Sequence, residues 1–530
     1  MQKVLVSDKL HEKGIEILKN AENIEVDVKV GMSKDELKEV IGNYHGIVIR
    51  SATKLTQDVL EHATNLKAIG RAGIGVDNVD IPCATEKGIV VMNTPQGNTI
   101  TTAEHTLSMM MALSRNIPQA TASLKSGKWE KSKFMGTELF NKTLGIVGLG
   151  NIGTIVANRA LGLKMKVIGF DPFINEENAA KKGVKLVSLD TLFKESDYIT
   201  VHTPLTKTTK NLINKETFKI MKDGVRIICC ARGGIVNEDD LAEALESGKV
   251  AGAAFDVFAK EPPDYNHPLL KSDKFICTPH LGASTKEAQF NVAVAVAEQM
   301  VDFLNFGIIK NALNVPSVSS EELQILKPYI KLGEKMGNFI TQMCKAACGF
   351  TDIHIEYFGE VANYDTSPIT LSVLKGLLTP IMGENVNFVN APLVAKERGI
   401  KINESKNTEG KNFSSSIVLS TVTDSGKQSI EGALFGKKDI RIVSINNFRV
   451  EAEPKGHIIL LYNYDKPGVI GNIGRFLGEQ NINIGNMQFG RESVGGMAVS
   501  IVQIDNEITA DVLESLNKLP NIVSATLIEL

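Results

Sequence analysis

Three residues with complementary chemistry each follow a short apolar run. Arg232 comes after RIICC and just ahead of two glycines, Glu261 lies in DVFAKEPP, and His280 ends FICTPH. An arginine can grip a carboxylate through two parallel hydrogen bonds. A histidine titrates near neutrality, with an ordinary pKa of about 6.5. A neighbouring glutamate raises that value and fixes the ring's tautomer. The chain holds nine histidines, and most have plain structural settings. His105 lies in an apolar helix pattern, His202 at a strand end, and His11 and His62 in polar helical stretches. His280 differs because Arg232 and Glu261 occupy equivalent places in the pattern.

A glycine run supplies what these residues would act beside. Gly148, Gly150 and Gly153 form G-x-G-x-x-G between the strand pattern LGIVG and the helix pattern NIGTIVANRALG. In that setting the first glycine permits a tight turn, the second admits a pyrophosphate to the backbone, and the third lets helix and strand pack closely. The amides around Asn151 and Ile152 then face the phosphates at a positive helix end. Asp171 ends the next strand pattern, 18 residues beyond Gly153. A carboxylate there accepts hydrogen bonds from ribose hydroxyls and repels a 2′-phosphate, which favours NAD over NADP. Beside a nicotinamide, Arg232, Glu261 and His280 make an apparatus for oxidising a 2-hydroxy acid.

The elements that must position these groups follow from periodicity. KVLVS (3–7), IEVDV (24–28), GIVIR (46–50), KAIGRAG (67–73) and GIVVMN (88–93) read as strands separated by amphipathic helices. A second series runs through TLGIVGLG, KVIGFD, YITVHT, VRIICC, AGAAFDVF and FICTPH. Such alternation predicts two parallel sheets, each covered by helices on both faces. Arg232, Glu261 and His280 then sit at or just beyond carboxyl ends of strands, where open α/β sheets bind ligands. A helix over 99–118, stopped by Pro118, and a counterpart over 284–307, ended by Gly307, carry the chain between the two units. The segment 321–452 mixes helix and strand around the polar stretch RGIKINESKNTEGKNFSS, which reads as a loop or exposed edge. The final 75 residues give the order βαββαβ, a ferredoxin-like arrangement.

Bulk properties narrow the partners. At 530 residues the chain exceeds one core, and 58 basic against 61 acidic residues give a net charge of −3. That balance points to neither nucleic acid nor a membrane surface. Cys83, Cys229, Cys230, Cys277, Cys344 and Cys348 show neither disulfide nor metal spacing; Cys344 and Cys348, one turn apart, read as helix packing. The N-terminus runs straight into a strand pattern, and no apolar run has membrane-span length, so a cytoplasmic location is expected.

GLGNIG, Asp171, CCARGGIV, DVFAKEPP and TPHLGAST together resemble the NAD-dependent D-isomer-specific 2-hydroxyacid dehydrogenases over residues 1–314. RSATKLT, GRAGIGVDNVD, MNTPQGN and GKWEKSKFMGTEL sharpen this to a branch acting on 3-phosphoglycerate, in its long form. The resemblance implies a Rossmann-type cofactor domain (98–286) inserted in a discontinuous flavodoxin-like substrate domain (1–97 and 287–314). A mixed α+β intervening domain (315–453) and a ferredoxin-like ACT domain (454–530) would follow. It implies oxidation of D-3-phosphoglycerate to 3-phosphohydroxypyruvate, the first step of L-serine biosynthesis. Arg232 would bind the substrate carboxylate, His280 would exchange the C2 hydroxyl proton, and Glu261 would pair with His280. Further cofactor contacts would come from Ile74, Thr203, Cys230, Ala231, Asp256, Leu281, Gly282 and Ala283.

A phosphorylated substrate needs more cations. Arg50, beside Ser51, and Arg71, beside Gly73, are the first candidates. Lys131 and Lys133 could reach across to a neighbouring subunit. In the tail, Asp465, Gly468, Val469 and Asn483 would enclose an amino acid, L-serine by resemblance, where two copies meet in a homodimer or homotetramer. The chain departs from the family pattern at Asn463, where strongly serine-responsive members can carry histidine. Two other readings share the catalytic trio: a glyoxylate or hydroxypyruvate reductase, and a non-catalytic NAD(H)-sensing protein of the same fold.

Overall fold

The computed structural model describes residues 1–316, 318, 320–344, 350–423 and 426–530; Cys348 lies outside them. The first sheet holds β1 (Gln2–Val6), β2 (Ile24–Val28), β3 (Gly46–Ile49), β4 (Ala68–Arg71) and β5 (Val90–Asn93). All five run parallel in the order β2-β1-β3-β4-β5. Strands β3 and β5 are buried at every residue, as parallel strands covered on both faces require, while the edge strand β2 buries only Ile24.

The second sheet holds β6 (Thr143–Val147), β7 (Lys166–Phe170), β8 (Lys185–Leu186), β9 (Tyr198–Val201), β10 (Val225–Cys229), β11 (Val250–Phe255) and β12 (Phe275–Cys277). It is parallel throughout, in the order β12-β11-β10-β9-β6-β7-β8. The two-residue strand β8 is too short to show a pattern in sequence.

Two helices link the sheets. The helix Thr99–Ser114 covers the second sheet, burying Ala103, Leu107, Met110 and Leu113 beside Leu144, Ile146, Ile228 and Ala254. The expected stop at Pro118 is corrected: the helix ends four residues earlier, and Asn116 turns into the left-handed region at φ 51°. Pro118 occupies the first turn of the next helix, Ile117–Lys125, where its missing N–H costs nothing. The helix Lys286–Phe306 returns to the first sheet, packing Val292, Ala293, Val296 and Met300 among Val4, Val6 and Met92. Thr285 caps its start and Gly307, at φ 68°, its end.

A mixed sheet follows, formed by β13 (Asp352–Gly359), β14 (Lys401–Asn407), β15 (Ser415–Thr423), β16 (Gly426–Phe435), β17 (Asp439–Ile445) and β18 (Phe448–Ala452). The polar stretch supplies its exposed edge strand, β14, and the connection from it to β15. Helices Ser320–Met343 and Ser367–Met382 lie against it and against each other, with Gly337 and Gly376 at their contact. The last sheet comprises β19 (His457–Tyr464), β20 (Ile484–Arg491), β21 (Met497–Ile504) and β22 (Ile522–Glu529) in the order β20-β21-β19-β22. Its helices cover one face. The other contributes Ile458, Leu460, Val499, Ile501 and Ile528 to the same core as Leu332, Phe339, Ile355 and Ile442. Among the described residues no helix is long and apolar enough to cross a membrane.

Candidate active site

His280 follows β12 in a turn that a side chain rarely adopts, at φ 56°. Its conformation is held by Asp256, just after β11. The Asp256 carbonyl accepts the His280 amide at 2.9 Å. The Asp256 carboxylate accepts the amides of Leu281 and Gly282, each at 2.7 Å, and the Thr278 hydroxyl at 2.6 Å. Asp256 is buried, which would raise its pKa, yet the His105 ring and these hydrogen bonds outweigh burial and lower it. His105 Nε2 stands 3.3 Å from Asp256 and 3.0 Å from the Thr278 hydroxyl. Sequence reading gave His105 only a packing role; nothing in its helix pattern signals Asp256 as a partner.

The His280 Nδ1 lies 2.7 Å from Glu261 Oε2. A carboxylate only accepts, so Nδ1 carries the proton and Nε2 is left as the ring's acceptor. This bond is the main reason the His280 pKa is raised, against the lowering effects of burial and of Arg232. Burial pushes Glu261 upward, but His280 and the Phe258 amide prevail and hold it below its ordinary value.

Arg232 lies just beyond β10, near enough for its charge to act on His280. Across from it are Arg71, the last residue of β4, and Arg50, just after β3. Burial, then the charges of Arg232 and Arg50, pull the Arg71 pKa down to about 10. Its Nε is buried without a hydrogen-bond partner. A buried guanidinium with an unsatisfied donor, on which two further guanidinium charges act, makes a site for a multiply charged anion. Gly73 leaves room for the Arg71 guanidinium, since a Cβ there would stand 1.6 Å from its Nη1. Arg50 is seated by the buried Asp8, whose carboxylate accepts the amides of Arg50 and Thr53 at 2.6 and 3.1 Å. Asp8 ends the run VLVSD, and the strand-end rule that singled out Arg232 would have found it. Lys131 and Lys133 lie in a short turn, Lys131–Phe134, with no contact to these arginines among the described residues.

The glycine turn has the geometry of a phosphate cradle. Gly148 has φ 95°, and a Cβ on Gly153 would come within 2.0 Å of the Gly148 carbonyl oxygen. A Cβ on Gly150, at the start of the helix Asn151–Gly162, would meet nothing within 4 Å, so this face is open to a ligand. Asp171 Oδ2 accepts the Leu149 amide at 2.8 Å, which brings its carboxylate to the turn. Thr203 offers a buried hydroxyl with no partner, and the Ile74 carbonyl is held by Asn93. The Cys230 thiol is buried in the core, where its pKa is pushed up, leaving only its backbone to a ligand. Ala231 gives its carbonyl to Arg232, while Leu281 is exposed and Ala283 half-buried. These features fit a dinucleotide.

Residues 107–282 match the family model for the NAD-binding domain of D-isomer specific 2-hydroxyacid dehydrogenases. Residues 325–446 match the D-3-phosphoglycerate dehydrogenase intervening domain, and 457–521 the ACT domain. D-3-phosphoglycerate dehydrogenase of Archaeoglobus fulgidus is 45% identical over 530 residues, covering 100% of both chains. That of Bacillus subtilis is 44% identical over 535 residues, again covering 100% of both. The chain belongs to the D-3-phosphoglycerate dehydrogenases. As a member of that family it is an NAD-dependent oxidoreductase. The D-lactate dehydrogenase of Aquifex aeolicus, solved with NAD and lactic acid, is similar to part of this chain. It shows 30% identity and a TM-score of 0.53, covering 59% of this chain and 100% of that one.

Proposed function

We infer that the chain oxidises D-3-phosphoglycerate to 3-phosphohydroxypyruvate, the first step of L-serine biosynthesis. The observation that carries this reading is the cluster of Arg50, Arg71 and Arg232 beside the His280–Glu261 pair. One arginine suffices for a simple 2-hydroxy acid; three suit a substrate with a carboxylate and a phosphate. Arg232 grips the carboxylate and polarises the oxygen on C2, while Arg50 and Arg71, with the Ser51 and Gly73 loops, hold the phosphate. His280 Nε2 takes the C2 hydroxyl proton as hydride leaves C2, and Glu261 stabilises the imidazolium that forms. NAD, when bound, supplies the hydride acceptor. In reduction His280 returns the proton.

The domain division given by resemblance, 1–97 with 287–314, then 98–286, 315–453 and 454–530, belongs to this reading and is supported by the four separate sheets. A cytoplasmic setting is supported by cysteine spacing without a disulfide framework. A homodimer or homotetramer is supported by the exposed Trp129, Met135 and Phe140, and Lys131 and Lys133 from this segment would serve the neighbouring subunit.

L-serine is the proposed effector of the last sheet. Asp465 there accepts Arg491 Nη1 at 2.7 Å and the Gly495 amide at 3.1 Å, and Asn483 donates to Asp505 at 2.6 Å. Gly468, at φ 90°, precedes Val469 at a helix start. Titrating L-serine into the full chain in a calorimeter should give saturable heat; none would leave this sheet a pairing role only. NADH formation with 3-phosphoglycerate, against D-glycerate and D-lactate, tests the main reading. Turnover of the phosphorylated acid well above both controls is expected, and preference for either control would overturn it.

A further inference from the structure

The turn after β4 contains Asp77 and Asn78, and each addresses one of the arginines above. Asp77 Oδ2 accepts Arg232 Nε at 2.9 Å. Arg232 Nη1 donates to the Ala231 carbonyl at 2.7 Å. Two of the three guanidinium nitrogens are thus committed. The third, Nη2, lies over Gly75, where a Cβ would stand 1.7 Å from it. Any side chain at position 75 would displace the guanidinium.

Asn78 treats Arg50 similarly. Its Nδ2 donates to the carbonyls of Arg50 and Thr53 at 2.7 and 2.6 Å, and its own carbonyl accepts the Leu55 amide at 2.8 Å. One turn therefore sets both the arginine of the second sheet and an arginine loop of the first. Asp77 also faces Arg71, partly offsetting the repulsion from Arg50 and Arg232. The Asp77 side chain is 64% exposed. An ion pair that open to solvent adds little to folding stability. Its geometry, which fixes Nε and leaves Nη2 free, is the more telling feature.

We propose that Asp77 is a positioning residue for Arg232. By holding Nε it turns the uncommitted Nη2 of the guanidinium toward the substrate carboxylate. Because it reaches over from the first sheet, it aims the arginine only while the two sheets stand in register. The proposal rests on the assignment of Arg232 to the carboxylate given above.

The test compares the parent, D77A and D77N in the full chain, with 3-phosphoglycerate and NAD varied separately. D77N keeps an oxygen that Nε can donate to; D77A does not. A misplacement of about 1 Å in a positioning group can cost about 100-fold. The expected result is a 10–100-fold fall in kcat/KM for 3-phosphoglycerate in D77A, recovery to within about threefold of the parent in D77N, and a KM for NAD unchanged within about twofold in both. D77A within about threefold of an active parent, or D77N falling as far as D77A, overturns the inference alone. A parent inactive on 3-phosphoglycerate overturns the functional reading and this inference together.

Discussion

At the residue scale the His280–Glu261 bond makes a pH prediction whose sign is fixed. The bond raises the His280 pKa. Oxidation needs the neutral ring, so its kcat/KM rises as pH climbs through that value. E261Q removes the partner charge, and the pKa falls toward its ordinary position. The acid limb of the oxidation profile should therefore move to lower pH, and so should the alkaline limb of reduction, which needs the imidazolium. Profiles measured in both directions check this; limbs that stay put would dissociate Glu261 from the proton's path. His280→Ala should lower kcat by about 10²–10⁴-fold while NADH still binds by fluorescence. Arg50→Ala should raise the KM for 3-phosphoglycerate well above any change in the KM for NAD.

The trio was legible because each member follows a strand pattern and carries a distinctive side chain. Asp77, Asn78 and His105 were not singled out, since their roles are set by partners 28 to 155 positions away in the chain. Periodicity reports which face a residue takes, and says nothing about which distant group meets it there.

At the element scale the parallel strands were easy to place, because continuous Val/Ile runs bounded by turns have few other uses. Pro118 misled because proline both stops a helix and starts one. Deciding between those roles required the left-handed turn at Asn116, a residue type that tolerates that region without demanding it. The long helices over the mixed sheet show how close two elements can come. A Cβ on Gly376 would lie 2.0 Å from the Glu334 carbonyl oxygen, and one on Gly337 would lie 2.1 Å from that of Val373. Gly376→Val should therefore destabilise this region by about 1–3 kcal/mol, as overpacked cores do. The measurement is denaturant unfolding followed on residues 315–530. The dehydrogenase turnover of the full variant at low temperature should remain.

At the scale of the whole molecule the tail is more integrated than its motifs suggest. The ferredoxin-like pattern was clear in sequence, but its second apolar face had no visible destination. That face is buried against the mixed sheet's helices, and Gln342 brackets β22 by bonding both the carbonyl and the amide of Glu529, at 2.8 and 3.0 Å. A fragment spanning 315–530 should unfold in one cooperative transition. A 454–530 fragment should instead self-associate, because Ile458, Leu460, Val499 and Ile501 would face water. Differential scanning calorimetry and light scattering on the two fragments decide the matter. The other end of the unit is also fastened: Asn387 donates to the Gly88 carbonyl at 2.9 Å, and Leu371 and Val389 join the core around Val90 and Met92.

The two helices that carry the chain between the first and second sheets begin side by side, with the hydroxyls of Thr101 and Thr285 3.3 Å apart. Every strand of the second sheet falls between those two residues. A unit whose two ends are neighbours can be lifted out and rejoined by a short splice without stretching its host. The nucleotide-handling half of this enzyme thus has the build of a cassette, exchangeable for a counterpart of different cofactor preference while the anion-gripping half stays as it is.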